Sequence, residues 1–159
     1  MQRISIIFLQ GVLVLISIVT LALLIWLPLT EGRATNLDLF DIYTDKLILY
    51  GYLTSIPFFV GLYKAFRLLN YIGQNKVFTL KAVGALKDIK YCAIILSTLI
   101  VGAGIFIKFT HHKEDDPAGF IAMCIVTTFA AIVVGTAAAI FEKLLQNAVD
   151  MKSENDLTI

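Results

Sequence analysis

Few residues in this chain have the type and spacing that chemistry requires. His111 and His112 are adjacent and run into Lys113-Glu114-Asp115-Asp116. Adjacent side chains do not share a helix face, and no HExxH spacing is present, so a zinc site is not expected. Asp38, Asp41 and Asp45 recur at helical spacing, with Thr35 and Asp38 in capping-box register. They suit the wet entry to a helix, because calcium would need more oxygen ligands in a defined loop. Cys92 and Cys124 are too few for a disulfide scaffold and form no CxxC pair. No glycine-rich phosphate loop or nucleophile elbow occurs. These absences predict a non-enzymatic protein with no catalytic residue, no cofactor and no bound metal.

The elements that would position such residues are written in the hydropathy. The chain of 159 residues is 58% hydrophobic and only 16% charged, with a mean hydropathy of +0.84. Soluble domains carry about 25% charged residues. A disordered chain, a nucleic-acid coat and an ordinary soluble enzyme are therefore excluded. Charge-free stretches cover about residues 4–30, 47–63, 91–107 and 118–141. Crossing the hydrocarbon takes roughly 20 apolar residues, with 17 near the lower limit. Lys46, Lys64, Lys90 and Lys108 flank the two shorter stretches, and their stems can snorkel. The first stretch is too long for a signal-peptide core and no small-x-small site follows Trp26–Pro28, so it reads as a retained helix. The expected fold is all-α: one integral membrane domain over 1–159, a four-helix antiparallel transmembrane bundle with helix extensions in the cytoplasm.

Orientation follows the distribution of basic residues. Arg3, Lys64, Arg67, Lys76, Lys81, Lys87, Lys90, Lys143 and Lys152 fall on one side; Arg33, Lys46, Lys108 and Lys113 fall on the other. The first side should be cytoplasmic, which puts both termini inside. No Asp, Glu, Lys, Arg or His lies within the four stretches. Such residues mark proton relays and ion paths, so a pump or ion-coupled transporter is not expected.

The spans carry packing signals instead. Thr127, Ala131, Gly135 and Ala139 form a small-residue stripe at four-residue spacing. Such stripes let helix backbones approach closely. Packing inside one bundle is the plainer use of this stripe, and a homodimer face is the alternative. Pro57 should kink its helix, with Thr54 and Ser55 placed to satisfy the freed carbonyl. Cys92 and Cys124 should lie about 18 Å apart in depth, too far for a disulfide.

The segment from Lys64 to Lys90 should form a hairpin below the membrane. The helical pattern continues to Gly73, a natural C′ residue, and a turn follows through Gln74, Asn75 and Lys76. Thr79 then suits an N-cap. Leu80, Val83, Leu86 and Ile89 share one face of the next helix, with Lys81 and Lys87 pointing away. After the last span, Phe141, Leu144, Leu145, Ala148 and Val149 continue an apolar stripe into a tail over 142–159 that ends Ser153-Glu154-Asn155-Asp156-Leu157-Thr158-Ile159. Contact with anionic lipid is the ordinary role of such basic residues, and docking of an acidic protein is the sharper one. Direct nucleic-acid binding is not expected, because no recognition motif accompanies the charges.

Asn75-Lys76-Val77-Phe78-Thr79, followed by Val83, Leu86-Lys87 and Ile89, resembles a recurrent pattern, as does the ending Glu154–Ile159. Both look like the small bacterial four-helix membrane family catalogued as domain of unknown function "twenty-nine seventy-five". The resemblance covers essentially the whole chain in length and layout. Ala82 departs from it, standing where the family pattern often has Asn. The resemblance implies a bacterial inner-membrane protein and, as a partner, a small cytosolic helix-turn-helix regulator. The leading expectation is a regulatory scaffold that binds or sequesters such a partner through Lys76, Phe78, Thr79, Lys81, Lys87, Asp156, Leu157, Thr158 and Ile159. Two alternatives stand beside it. One is a small-molecule or lipid-binding accessory, for immunity or export, with a cavity near Pro57, Gly51 and Gly61. The other is a structural subunit assembled through the stripe on the last span.

Overall fold

A computed structural model describes residues 2–30, 46–110 and 118–156 of the chain. The apolar stretches are all helical: α1 Gln2–Thr30, α2 Lys46–Gly73, α3 Leu80–Thr110 and α4 Ala118–Asp156. All four are long and apolar enough to cross a membrane. Lipid offers no hydrogen bonds to a backbone, so each apolar run must satisfy its own amides and carbonyls, and helix is the solution. The loops that carry Thr35, Asp38, Asp41 and Asp45, and His111 and His112, lie outside the described residues, as do Leu157, Thr158 and Ile159.

Packing follows chain order. α3 and α4 share the largest interface, α2 packs on α3, and α1 rests on α2; α1 and α4 make no comparable contact. The Tyr52 hydroxyl donates to the Leu24 carbonyl at 3.0 Å, while Gln10 on α1 reaches Asn70 on α2. The Tyr50 hydroxyl donates to the Leu99 carbonyl at 2.7 Å, tying α2 to α3. Gly61 faces Cys92, and Gly135 faces Ala93. Both cysteines are free. α1 leaves Ile4, Phe8 and Trp26 largely exposed, as suits a helix whose surroundings are lipid tails.

The densest packing lies toward the hairpin end. Ala82, Val83, Ala85 and Leu86 of α3 are buried, and Ala93, Ala131 and Ala138 continue this core into the α3–α4 seam. Along the seam itself the buried residues Ala93, Ala131 and Ala138 are small because close backbone approach, rather than expulsion of water, holds apolar helices together in lipid. Val83 and Leu86 are on the predicted inner face, but Leu80 is exposed, and Ala82 and Ala85 are buried as well. The stripe along α4 also divides: Leu145, Ala148 and Val149 are half-buried, whereas Phe141 and Leu144 are exposed. The predicted polar tail is helical through Asp156, since nothing in Ser153-Glu154-Asn155 breaks the helix.

Two local expectations are corrected. The residue with left-handed backbone is Asn75, at φ 56°, and no glycine among the described residues takes a positive φ. The Asn75 amide donates to the Ile72 carbonyl and the Lys76 amide to the Tyr71 carbonyl, a Schellman closure with Asn75 at C′. Gly73 is instead the last helical residue, with Ile6 of α1 packed where its side chain would be. Asn75→Val should therefore destabilise the turn by about 1–2 kcal/mol, while Asn75→Gly should not. Hydrogen exchange at the Asn75 and Lys76 amides reads the difference. Near Pro57, the Ser55 hydroxyl donates to the Tyr52 carbonyl and the Thr54 hydroxyl has no partner, so neither serves the Leu53 carbonyl that proline deprives of its donor. α2 nevertheless runs unbroken through Pro57.

Candidate functional site

Two concave features stand out, one at the hairpin and one between the helices. The hairpin groove has a volume of about 680 Å³. Arg67 and Tyr71 of α2 line it, with Gln74, Lys76 and Thr79 of the turn and Leu80 and Lys81 of α3. Arg67 is held in place by its own helix: its guanidinium lies 5.9 Å from the Tyr63 ring and 5.8 Å from the Tyr71 ring, and it donates to the Tyr71 hydroxyl at 2.9 Å. The four-residue spacing of Tyr63, Arg67 and Tyr71 produces this stack. Thr79 stands just before α3, where its carbonyl accepts from Ala82 and Val83. Its hydroxyl donates back to the Lys76 carbonyl at 2.8 Å, closing the turn.

The basic residues of this end separate into two groups. Lys64 pairs with Asp88 at 2.6 Å and Lys90 with Glu142 at 2.5 Å, so both tie neighbouring helices together. Lys76, Lys81 and Lys87 are exposed and join no ion pair among the described residues. The structure brings Lys76, Thr79 and Lys81 into one groove with Arg67, and Phe78 is exposed beside it in the same turn. Lys87 is outside the groove, six residues along α3 from Lys81 and therefore on another face. Asp156 is the last residue of α4. Arg67 and Tyr71 were not among the predicted site residues, although their spacing with Tyr63 was visible.

The second feature is a cavity of about 640 Å³ between the helices. Every helix contributes, for example Thr20, Thr54, Cys92 and Thr127, and no charged residue lines it. Gly51, Pro57 and Gly61 are in its wall, where the sequence suggested space between the spans. Of the stripe on α4, Thr127 and Ala131 line this cavity, Gly135 packs against Ala93, and Ala139 is half-buried. No cluster of three or more metal-binding side chains occurs among the described residues.

Residues 18–159 match the family model described as a protein of unknown function, DUF2975. The chain is similar to the uncharacterized membrane protein YoaS of Bacillus subtilis (strain 168), with 44% identity over 161 residues and full coverage of both chains. No solved structure gives a significant match. Family match and full-length similarity agree with the four long apolar helices: this chain belongs to the DUF2975 family.

Proposed function

We propose that this is a non-enzymatic protein of the bacterial inner membrane, an antiparallel four-helix bundle with both termini in the cytoplasm. The pairing of contacts between successive helices and the excess of Lys and Arg at the hairpin end support that arrangement. The bundle acts as a regulatory scaffold whose hairpin binds a small cytosolic partner, such as a helix-turn-helix regulator, with the tail to Ile159 completing the surface. The observation that carries this reading is the cationic groove. Arg67, Lys76 and Lys81 line it with no acidic residue among the described lining residues, and Phe78 beside it and Leu80 in its wall are 55% and 68% exposed. Charges placed this way steer an acidic partner, and an exposed aromatic anchors it.

The test is a crosslinked pull-down from native membranes. It compares the full chain with one lacking Ser153–Ile159 and with the triple reversal Arg67→Glu, Lys76→Glu, Lys81→Glu. Each variant should insert normally and lose at least tenfold in capture of the partner, equivalent to about 1.4 kcal/mol. Undiminished capture by the triple variant would remove the groove from the function, and undiminished capture by the truncated chain would remove the tail. The cavity between the helices favours a second reading, a lipid- or small-molecule-binding accessory of the kind used in immunity or export.

A further inference from the structure

We propose that the cavity between the helices holds a neutral lipophile: a long apolar molecule carrying a single hydroxyl or carbonyl, which pairs with the Thr54 hydroxyl. This rests on the second reading above and adds the class of ligand and the residue that recognises it. The walls settle the charge. No ionisable lining residue other than Cys92 is present, so an anionic or cationic group would enter without a counter-ion. Thr54 is eight residues from Lys46 and ten from Lys64, about 12 and 15 Å along the helix, which puts it near the middle of the span. A bare charge at that depth is costly.

Thr54 supplies the polar contact. Threonine and serine inside helices ordinarily turn their hydroxyls onto a preceding carbonyl of their own helix. Two other hydroxyls in the same wall do so: Ser55 donates to Tyr52, and Thr127 to Met123 and Cys124. The Thr54 oxygen is buried and has no partner. An ordered water is a poor occupant, because it needs two to four polar partners and the Ser55 and Thr127 hydroxyls of the same wall are already engaged. A ligand that is apolar except for one hydrogen-bonding group fits both the walls and the unpartnered hydroxyl, which a turn about the Thr54 side-chain bond would present to the cavity. The volume, about 640 Å³, falls within the range of roughly 300–1,000 Å³ usual for ligand sites. Entry is lateral: α1 packs on α2 but makes no comparable contact with α4, so the seam between α1 and α4 faces the lipid.

The experiment uses the full chain in vesicles of phosphatidylethanolamine and phosphatidylglycerol. Two photoreactive probes are compared, a long-chain alcohol bearing a diazirine and the matching alkane, with labelled peptides mapped by mass spectrometry. The alcohol should label the wall around Gly51–Ala65 in preference to the outer faces of the helices. Thr54→Val keeps the side-chain shape and should lower alcohol labelling about fivefold to tenfold, the worth of one hydrogen bond, while leaving alkane labelling unchanged. Ala131→Phe, which fills the cavity, should block both probes. If both probes label the cavity equally and Thr54→Val has no effect, the cavity is a plain acyl slot, and the inference is overturned while the second reading stands. Labelling confined to outward-facing residues such as Ile4 and Phe129, and indifferent to Ala131→Phe, overturns both.

Discussion

Replacing Gly135 by leucine should force α3 and α4 apart and destabilise the chain by about 3 kcal/mol, the upper end of ordinary overpacking. A side-chain carbon at Gly135 would lie 3.2 Å from the Ala93 Cβ and 3.9 Å from the Lys90 carbonyl. Ala93 is itself buried and sits on backbone, so it can give way by only a few tenths of an ångström. Gly135→Ala should cost about 1 kcal/mol, and adding Ala93→Gly should recover most of that. The free cysteines give a built-in reporter. Cys124 packs against Gly104 across the α3–α4 seam, whereas Cys92 packs against Gly61 across α2–α3. Alkylation of Cys124 should rise sharply in Gly135→Leu, with a smaller rise at Cys92. Unchanged alkylation of both would show that the seam does not depend on the missing side chain. Loss of an oligomer with Cys124 still protected would assign the stripe to a homodimer face instead.

The parts of this molecule that were legible in its sequence are those set by hydropathy and charge. Four runs without charged residues can only be helices in lipid, and a helix runs through each of them. The inward turn of Val83 and Leu86 and the outward turn of Lys81 and Lys87 follow from helical period alone. Space near Gly51, Pro57 and Gly61 was only what the ligand-binding alternative required; the cavity wall includes all three. Partner choice was less legible. Whether a lysine ties helices together, as Lys64 and Lys90 do, or lines a groove, as Lys76 and Lys81 do, depends on an acid from a distant stretch, such as Glu142. The turn residue was misread for a related reason. Gly73 and Asn75 both tolerate left-handed backbone, and the choice fell to Asn75 because Gly73 is held in the helix, where Ile6 packs on it. Burial of Ala82 rather than Leu80 likewise depends on tertiary packing that helical period does not specify.

Ala82 is the most completely buried core residue among the described residues, in the first turn of α3. Any larger side chain must overpack, at about 1–3 kcal/mol. Ala82→Leu isolates that cost. Ala82→Asn, close to leucine in size, adds an amide whose donors and acceptor need partners, and leaving them unmade costs about a further 1–3 kcal/mol. No polar or charged residue is buried among the described residues, so the amide has no buried side chain to meet. Asn should therefore be the worse of the two, with a total near 3–4 kcal/mol on these magnitudes. Midpoints of detergent-induced unfolding measure the order directly. The hairpin should loosen with it, since Ala82 lies three residues past Thr79, whose carbonyl receives the Ala82 amide at 3.0 Å. If the groove docks a partner, partner capture should fall in Ala82→Asn although no groove residue has changed. The reverse order, with asparagine milder than leucine, would mean that backbone acceptors in the turn come within reach of the amide. An asparagine at position 82 would then act as a clasp on the hairpin, in place of the close packing that alanine allows.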